Sequence, residues 1–494
     1  MHAYALLDPG AGSGALRASM RYAADMITLL ATLWIARLSV PQPAISQASS
    51  AQVIRAISSD RIRRDVDRLA GFGTRHTLSS TDDPSRGIGA ARRWLLSEFE
   101  SAGKAAGGRL ATSLESFEAP KMPRLPQGAT IVNVVARLQG VMPEASRRVV
   151  YVVGHYDTIN SDRMDAAGDA PGANDDASGT AVVLECARVL SGFRLDATVV
   201  FLCTAAEEQG LVGAKFHADA LVQSKAFDHV YALSNDIVGD PSIPYVPLES
   251  LAGGAATIDS RAFVRVFSEG IPKNTSAETL AAIRNQAAEN DSPSRQLARY
   301  VAEVARREGL TSGEPGTVTP KMVFRPDRFL RGGDHSAFNE AGLCAVRFTV
   351  PGEDYSRQHV NVTQRDGKPY GDVPSFVDET YVAGVARLNA ASIVHLANAP
   401  SPPASVRLVA AELTPVTTLR FSRPPEPDFA GFEILIRETT DADWRVVFPV
   451  PADASKGDYE ITLPLSKDTH LFAVRCVDAS GFKSVPAFAW SSAK

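Results

Sequence analysis

Between residues 129 and 236, short apolar runs alternate with amphipathic stretches. Four runs rich in β-branched residues have the length and composition of strands: "ATIVNVVARL", "RVVYVVGHYD", "ATVVFLC" and "HVYALSND". Apolar residues at helical spacing predict a helix between the second and third runs, in "ASGTAVVLECARVLSGF". The strands are apolar almost throughout, as in parallel sheets buried on both faces. The pattern therefore predicts an α/β fold with a mostly parallel central sheet flanked by helices.

Helical patterns occur on both sides of this region. The clearest are "DDPSRGIGAARRWLLSEFESAG" from residue 82, "SPSRQLARYVAEVARREG" from residue 292 and "VDETYVAGVARLNAASIVHLANA" from residue 377. The stretch between residues 245 and 330 is otherwise hard to assign. The proline-rich sequence "PSPPAS" then interrupts the periodicity and predicts a linker. We therefore assign residues 49–399 to a single α/β domain, which we expect to be the catalytic one.

Residues 403–494 follow a different pattern. Alternating runs separated by turn residues predict a small antiparallel β-sandwich: "GFEILIRET", "WRVVFPV", "YEITLPL" and "HLFAVRCVDASGFKSV". Through Trp444 and the "VDASG" hairpin, this segment resembles a fibronectin type III module. Such a module could contact a cell surface or a protein partner, or it could be a spacer or a lid over the α/β domain.

The first 48 residues resemble a secretory leader. Arg21 precedes an apolar stretch from Met26 to Ala36, and small residues follow around Ser46 to Ala48. The apolar stretch is shorter than the roughly 20 residues that span a bilayer. We predict export to the periplasm or the exterior, with no stable membrane insertion after cleavage. A disordered or membrane-associated tail is the alternative.

The net charge argues against a nucleic-acid-binding protein, and the cysteine spacing argues against thiolate metal sites and disulfide frameworks. The chain has 494 residues and a formal net charge of -5, so it lacks the basic surface of a nucleic-acid-binding protein. The four cysteines are far apart and show no C-x-x-C spacing. Neither a thiolate metal site nor a disulfide framework is therefore predicted.

Polar side chains gather where the predicted strands end and the predicted helix begins. They are His155, Asp157, Asp175, Asp176, Glu207, Glu208 and Asp236. Because the carboxyl ends of parallel strands meet in one crevice, these groups should lie close together. Uncompensated buried carboxylates are strongly unfavourable, and a divalent cation removes that conflict. Imidazole and carboxylate ligands suit zinc, and also manganese or cobalt, and their number allows two ions.

Five segments in order carry a more specific resemblance. They are "GHYD", "GANDDASG", "AAEEQGLVGA", "SND" and "DYSRQHVNVTQRDG". The chain resembles, over about residues 130 to 395, the co-catalytic zinc exopeptidases, which include bacterial leucyl aminopeptidases, glutamate carboxypeptidase II, glutaminyl cyclases and the transferrin receptor. The sequence lacks the HExxH motif of thermolysin-like enzymes.

The resemblance implies a role for each matched residue. Five residues would bind two zinc ions per chain: His155 and Asp236 the first ion, Glu208 and His359 the second, and Asp175 both. Glu207 would be the general base. Asp157 would contribute to catalysis by holding the other ring nitrogen of His155. His335, in "GGDHSAFNEAG", would lie near the site without binding metal.

Three functions follow from this resemblance. The first is a zinc aminopeptidase that hydrolyses N-terminal residues from peptides with a zinc-activated water. The second is a carboxypeptidase or a glutaminyl cyclase on the same fold, and cyclases of this fold use one zinc. The third is a non-catalytic binding protein, which would require lost ligands. All five expected ligands and the base are present, which argues against the third function, and the complete ligand set favours two ions. We take the aminopeptidase as the main prediction.

Two further features concern the surroundings of the site. Arg325, Arg328 and Arg331 lie in "FRPDRFLRGG" and either hold a substrate carboxylate or form a solvated basic loop, which we favour. His76, in "GFGTRHTLSS", either packs within its glycine-rich loop, which we favour, or lines the substrate entrance.

Overall fold

The computed structural model describes residues 47, 49–246, 248, 259–411 and 414–492. Apart from Gln47, the predicted leader lies outside the described residues, so its prediction stands untested. Within the described ranges, no helix has both the length and the apolar character needed to cross a membrane.

An eight-stranded sheet forms the centre of the α/β part, in the order β1-β2-β4-β3-β5-β8-β6-β7. Its strands are β1 (Leu110–Ala119), β2 (Ala129–Leu138), β3 (Arg148–His155), β4 (Thr198–Thr204), β5 (His229–Asn235), β6 (Phe263–Ser268), β7 (Thr319–Val323) and β8 (Cys344–Thr349). Strands β4, β3, β5 and β8 are parallel neighbours, as are β6 and β7. The pairs β1–β2, β2–β4 and β6–β8 are antiparallel. The predicted mostly parallel sheet is confirmed.

The central strands are buried on both faces. In β3, Val150 and Val152 belong to the large core on one face, while Val149 and Val153 belong to a second core on the other. This explains why the strands read as continuous apolar runs rather than as alternating ones.

Nine α-helices are described. They are α1 (Ser50–Ala56), α2 (Ser59–Ala70), α3 (Ile88–Ala105), α4 (Ala177–Leu190), α5 (Val212–Ser224), α6 (Ala277–Asn285), α7 (Pro293–Arg307), α8 (Asp334–Glu340) and α9 (Glu379–Asn398). Helix α4 begins after Asp176, whose side chain accepts a hydrogen bond from the Gly179 amide at 2.9 Å. This cap fixes the start of α4 beside the end of β3.

Residues 404–492 form two four-stranded sheets, in the orders β15-β12-β11-β18 and β14-β13-β16-β17. The strands are β11 (Ala404–Val409), β12 (Thr417–Ser422), β13 (Phe429–Glu438), β14 (Val446–Pro451), β15 (Asp458–Leu463), β16 (His470–Asp478), β17 (Ala487–Phe488) and β18 (Trp490–Ser492). A shared core that includes Phe421 and Phe432 lies between the two sheets. Strand β18 pairs with β11 in parallel, so the sandwich is not wholly antiparallel. A separate hairpin joins β9 (Thr363–Arg365) to β10 (Lys368–Tyr370).

The sandwich contacts the α/β part through buried ion pairs. Arg148, the first residue of β3, lies 2.7 Å from Glu426, and Arg437 lies 2.6 Å from Asp291. Since β3 has eight residues, Arg148 lies roughly 23 Å along the strand from His155 at its other end. The sandwich therefore contacts the amino ends of the parallel strands, not their carboxyl ends. This position argues against the lid that the sequence left open.

Candidate metal centre

The sheet and its loops bring the predicted polar residues together. His155 is the last residue of β3, and Asp236 immediately follows β5. Glu207 and Glu208 follow β4 after a turn in which Ala206 has a left-handed φ of 59°. Asp175 lies two residues before α4. Because these strands are parallel neighbours, all of these residues reach the same edge of the sheet.

His155 faces the first group of carboxylates. Its Nε2 atom lies 3.1 Å from Asp175 Oδ1 and 3.9 Å from Asp236 Oδ1. Ligand atoms of His155, Glu207 and Asp236 all lie within 4.8 Å of one another. Glu207, predicted as the base, thus lies within reach of the first predicted ion position.

His359 completes a second group. Its Nε2 atom lies 2.8 Å from Asp175 Oδ2 and 2.8 Å from Glu208 Oε1. Asp175 therefore presents one carboxylate oxygen to each imidazole, as a bridging ligand would. All five predicted ligands lie in one cluster, in the pairing that the resemblance implies.

The cluster suits a divalent cation because its inward atoms are left without hydrogen-bond partners. Carboxylate oxygens lie close to both imidazoles, yet among the described residues the buried His155 Nε2, His359 Nε2, Glu208 Oε1 and Asp236 Oδ1 atoms form no hydrogen bond of good geometry. Imidazole nitrogens together with carboxylate oxygens are ligands that zinc accepts. Buried polar atoms are normally satisfied, so four unsatisfied ones at one point indicate a missing positive partner.

The electrostatics of the cluster agree with this interpretation. Burial raises the pKa of Glu207 well above its usual range, and although His155 opposes this shift, Glu208 and Asp236 add to it. Burial lowers the pKa of His359, but the adjacent Glu208 and Asp175 carboxylates outweigh it and raise that pKa to about 11. The shift of His359 reflects the negative charge that the cluster concentrates in one place, whereas that of Glu207 reflects mainly burial.

The Asp157 side chain stabilises the turn that contains Glu207 and Glu208. Its carboxylate accepts hydrogen bonds from the Glu207 and Glu208 amides, each at 3.1 Å. The Nδ1 atom of His155 lies 3.2 Å from the Asp157 carbonyl oxygen and 3.6 Å from its carboxylate. Both the backbone carbonyl and the carboxylate of Asp157 thus lie beside the outer ring nitrogen of His155, the nitrogen that we predicted Asp157 to hold.

Three buried residues that support the cluster were not predicted. Arg75 donates to four backbone carbonyls, including those of Tyr156 and Gly172 at the two ends of the segment that joins β3 to α4. Arg347 lies 2.8 Å from Asp236 Oδ2. The third is Asp372.

The Asp372 carboxylate accepts hydrogen bonds from the Asn174 and Asp175 amides, both at 2.7 Å. The sequence offered a signal only for Arg75, which lies in the glycine-rich loop beside His76. The partners of Arg347 and Asp372 are distant in sequence, and no motif joins them.

Two other histidines considered from the sequence, His335 and His76, hydrogen-bond to backbone carbonyls of nearby loops. His335 is buried, and its Nε2 donates to the Pro326 carbonyl at 2.8 Å. It belongs to neither ligand group, and it lies 3.7 Å from Asp327, the carboxylate that also contacts Arg347. His76 is also buried, and its Nε2 atom donates to the Arg163 carbonyl at 3.1 Å. The structure thus favours loop packing for His76.

The ligand cluster forms the floor of a cleft of about 450 Å³. Asp175, Glu207, Glu208, Asp236 and His359 all line it, so the cluster is accessible from outside. A cleft of this volume accommodates a small peptide segment.

Comparison with known proteins also points to a zinc metallopeptidase. Residues 133–370 match the model of Peptidase family M28. A protein named "Probable zinc metalloprotease" from Leptosphaeria maculans is 38% identical over 434 residues, which cover 87% of this chain and 94% of the relative. One of the same name from Pyricularia oryzae is 38% identical over 470 residues, covering 92% and 88%.

Solved structures show more distant likeness. The Legionella pneumophila LapA aminopeptidase is 18% identical, with 73% of this chain and 77% of that chain covered and a TM-score of 0.46. The Fimbriiglobus ruber glutaminyl cyclase is 18% identical, with 68% and 95% covered and a TM-score of 0.47. On the sequence identity and coverage of its relatives, this chain belongs to peptidase family M28.

Proposed function

We propose that this protein is an exported zinc aminopeptidase that removes N-terminal residues from peptides with the help of two metal ions. The observation that carries the proposal is Asp175, with one oxygen directed to His155 and the other to His359. Zinc is supported by the names of the relatives and by the ligand types. The aminopeptidase reaction is supported by the five segments that resemble co-catalytic exopeptidases.

The residues present would hold two ions. His155, Asp236 and one oxygen of Asp175 would hold the first, and Glu208, His359 and the other oxygen of Asp175 the second. When bound, such a pair supplies a water of lowered pKa and polarises the carbonyl of the scissile bond.

Glu207 acts as the general base in this proposal. Its carboxylate removes a proton from the attacking water and transfers it to the leaving amine. Asp157 holds the Glu207 amide, and this bond keeps the base at a fixed position beside the ligands. Glu207 is half-buried and lines the cleft, so a water or a substrate in the cleft can reach its carboxylate, whereas Asp236 and Glu208 are nearly inaccessible.

The alternatives differ in what they require. A glutaminyl cyclase of this fold needs one zinc, whereas this cluster contains ligands for two. A carboxypeptidase would cleave at the other end of the peptide with the same centre. A non-catalytic binding protein would not need the base or the complete ligand set, and this chain retains both.

The test combines metal content with a substrate panel. Elemental analysis of the purified protein is expected to give about two zinc ions per chain. Dipeptides with a free amine are expected to be cleaved, and their N-acetylated forms are not. Equal cleavage of the acetylated forms would exclude an aminopeptidase. Sequencing the N-terminus of protein recovered outside producing cells tests the export step, and retention of residues 1–48 contradicts it.

A further inference from the structure

Arginine side chains line the same cleft as the carboxylate cluster. Arg124, Arg163, Arg328 and Arg331 all line it. Four guanidinium groups thus line one cleft of a chain whose formal net charge is -5. Their charges need a partner, and the ion pairs of each arginine show which of them already have one.

The basic loop at residues 325–331 contains three arginines with different surroundings. Arg328 is neutralised, because it lies 2.6 Å from Glu353 and 3.1 Å from Asp327. Arg325 is exposed, stacks over the Phe329 ring at 3.7 Å and does not line the cleft. Only Arg331 combines a position in the cleft with a charge that no described carboxylate neutralises.

Arg331 is fixed beside the second ligand group. Its Nη1 atom lies 3.4 Å from His359 Nδ1, and its Nη2 donates to Gln358 Oε1 at 3.2 Å. Gln358 in turn donates to Asp175 Oδ2 at 2.9 Å. The outer ring nitrogen of His359 thus meets a cation, whereas that of His155 faces Asp157. The Glu208–His359 side therefore has a cation without a carboxylate partner beside it, whereas Arg347 on the other side is paired with Asp236 and Asp327.

Arg124 approaches the same side from the segment between β1 and β2. Its Nη1 donates to the carbonyl of Glu208, one of the predicted ligands. Arg163 is exposed at the rim, and buried His76 holds its backbone carbonyl in place. Among the residues that the structure describes, Arg124 and Arg163 form no ion pair. Two half-buried guanidinium groups, those of Arg124 and Arg331, thus lie beside Glu208 and His359, and the exposed Arg163 lines the same cleft.

We propose that Arg124 and Arg331, with Arg163 at the rim, bind a carboxylate of the substrate next to the scissile bond. Guanidinium groups form strong paired hydrogen bonds with carboxylates, which favours this class of ligand over a neutral one. The carboxylate is either the C-terminal one of a dipeptide or an acidic side chain after the scissile bond. This inference rests on the proposed peptidase function and narrows it to acidic or very short peptides.

The experiment compares matched pairs of free-amine substrates. Leu-Gly against Leu-Gly-amide tests the C-terminal carboxylate, and Leu-Glu-amide against Leu-Gln-amide tests the side chain. The acid of at least one pair is expected to have a kcat/KM about tenfold or more above its neutral form, and the pair that responds identifies the source. Equal kcat/KM values within both pairs would overturn the proposal.

Substitutions test whether Arg331 and Arg124 are the residues that produce the preference for the acid substrate. In the responding pair, Arg331→Gln and Arg124→Gln are each expected to reduce the ratio of acid to neutral kcat/KM by about tenfold. Arg325→Gln is the matched control, because it removes the same charge from the same loop outside the cleft. The control is expected to leave the ratio unchanged. A loss of preference in Arg325→Gln equal to that in Arg331→Gln would contradict a specific site.

A binding measurement separates this proposal from the peptidase function. Glutarate and glutaramate each offer one carboxylate to metal, but only glutarate offers a second. In calorimetry with the purified metal-loaded protein, glutarate is expected to bind about tenfold more tightly, and Arg331→Gln is expected to remove the difference. Protein that cleaves no peptide but keeps this difference would refute only the proposed function. Equal binding of the two probes would refute the carboxylate site.

Discussion

Glu207 is the residue that separates metal binding from catalysis. Its side chain lies next to the first ligand group, yet the predicted ligand set is complete without it. Glu207→Gln is therefore expected to retain the metal while lowering kcat by roughly 10²–10⁴-fold, the usual contribution of a general base. Elemental analysis and steady-state kinetics measure the two effects. Glu118→Gln on the exposed surface of β1 is the control.

For Glu207, wild-type kcat in the Gln variant would remove its assignment as the base. Loss of both metal and activity would instead make Glu207 a ligand, which its distance to His155 and Asp236 permits.

Asp175 should matter more for metal binding than any other ligand, because it faces both imidazoles. In Asp175→Asn, the bound zinc is expected to fall below one ion per chain. In Asp236→Asn, one ion is expected to remain, because the second group is untouched. Elemental analysis after dialysis measures the difference. Equal stoichiometries in the two variants would show that Asp175 does not bridge.

Residues that end or follow a strand could be predicted from the sequence. His155, Glu208 and Asp236 stand out because each polar side chain interrupts or ends an apolar run. Arg75 and Asp372 act on backbone groups far away in sequence, and hydrogen bonds of that kind leave no pattern along the chain. Supporting residues of this type emerge only once the loops are folded together.

At the level of secondary structure, the close approach of α4 to β3 and β5 positions Asp175. A Cβ atom at Gly179 would lie 2.1 Å from the Asn235 carbonyl oxygen and 2.6 Å from the Asp176 carboxylate. This glycine allows the first turn of α4 to contact the end of β5. The loop that carries the bridging ligand is thereby held against the strand that precedes Asp236.

Gly179→Ala is expected to lower the free energy of unfolding by about 1–3 kcal/mol, because the added methyl group must displace backbone. Gly192→Ala is the control, since the nearest atom to its Cβ is Val189 O at 3.5 Å. Urea denaturation of both variants gives the comparison. Equal midpoints would show that the α4–β5 contact adapts without cost.

Among the secondary-structure elements, the buried strands were easier to predict from the sequence than the exposed ones. Strands β2 to β5 are mostly apolar and buried, and the sequence predicted all four of them. Strand β7 at the sheet edge is short and partly exposed, and β6 mixes arginine with apolar residues, so neither gives a clear pattern. The parallel partner of β11, strand β18, has three residues, too few to show a period.

Considering the whole molecule, the α/β part and the sandwich are expected to unfold together. Arg437 in β13 pairs with Asp291, and both side chains are almost fully buried. Arg437→Met leaves that carboxylate without its closest cation, which is expected to cost about 3–5 kcal/mol. The exposed pair Arg420–Glu460 provides the control, and Arg420→Met is expected to cost about 0–1 kcal/mol.

Calorimetry and urea denaturation test this coupling. One cooperative transition is expected for the wild type, and it moves to lower temperature in Arg437→Met. Two separate transitions in the wild type, with only one of them shifted in the variant, would show that the two parts are independent.

Metal should stabilise the whole chain, because it neutralises carboxylates that are otherwise crowded together. Ions that bind only the folded state stabilise it by about 4 kcal/mol when their concentration is 1,000 times the Kd. A chelator is therefore expected to lower the Tm, and added zinc is expected to restore it. A Tm indifferent to both treatments would contradict a metal centre in this cluster.

The placement of the sandwich has a practical consequence. Arg148 joins it to the far ends of the strands, so it is kept away from the cleft that opens beside His155. Immobilising the protein on a bead or a cell wall through this module would leave the entrance facing the medium. Diffusing peptides could then be trimmed by an enzyme that does not itself diffuse.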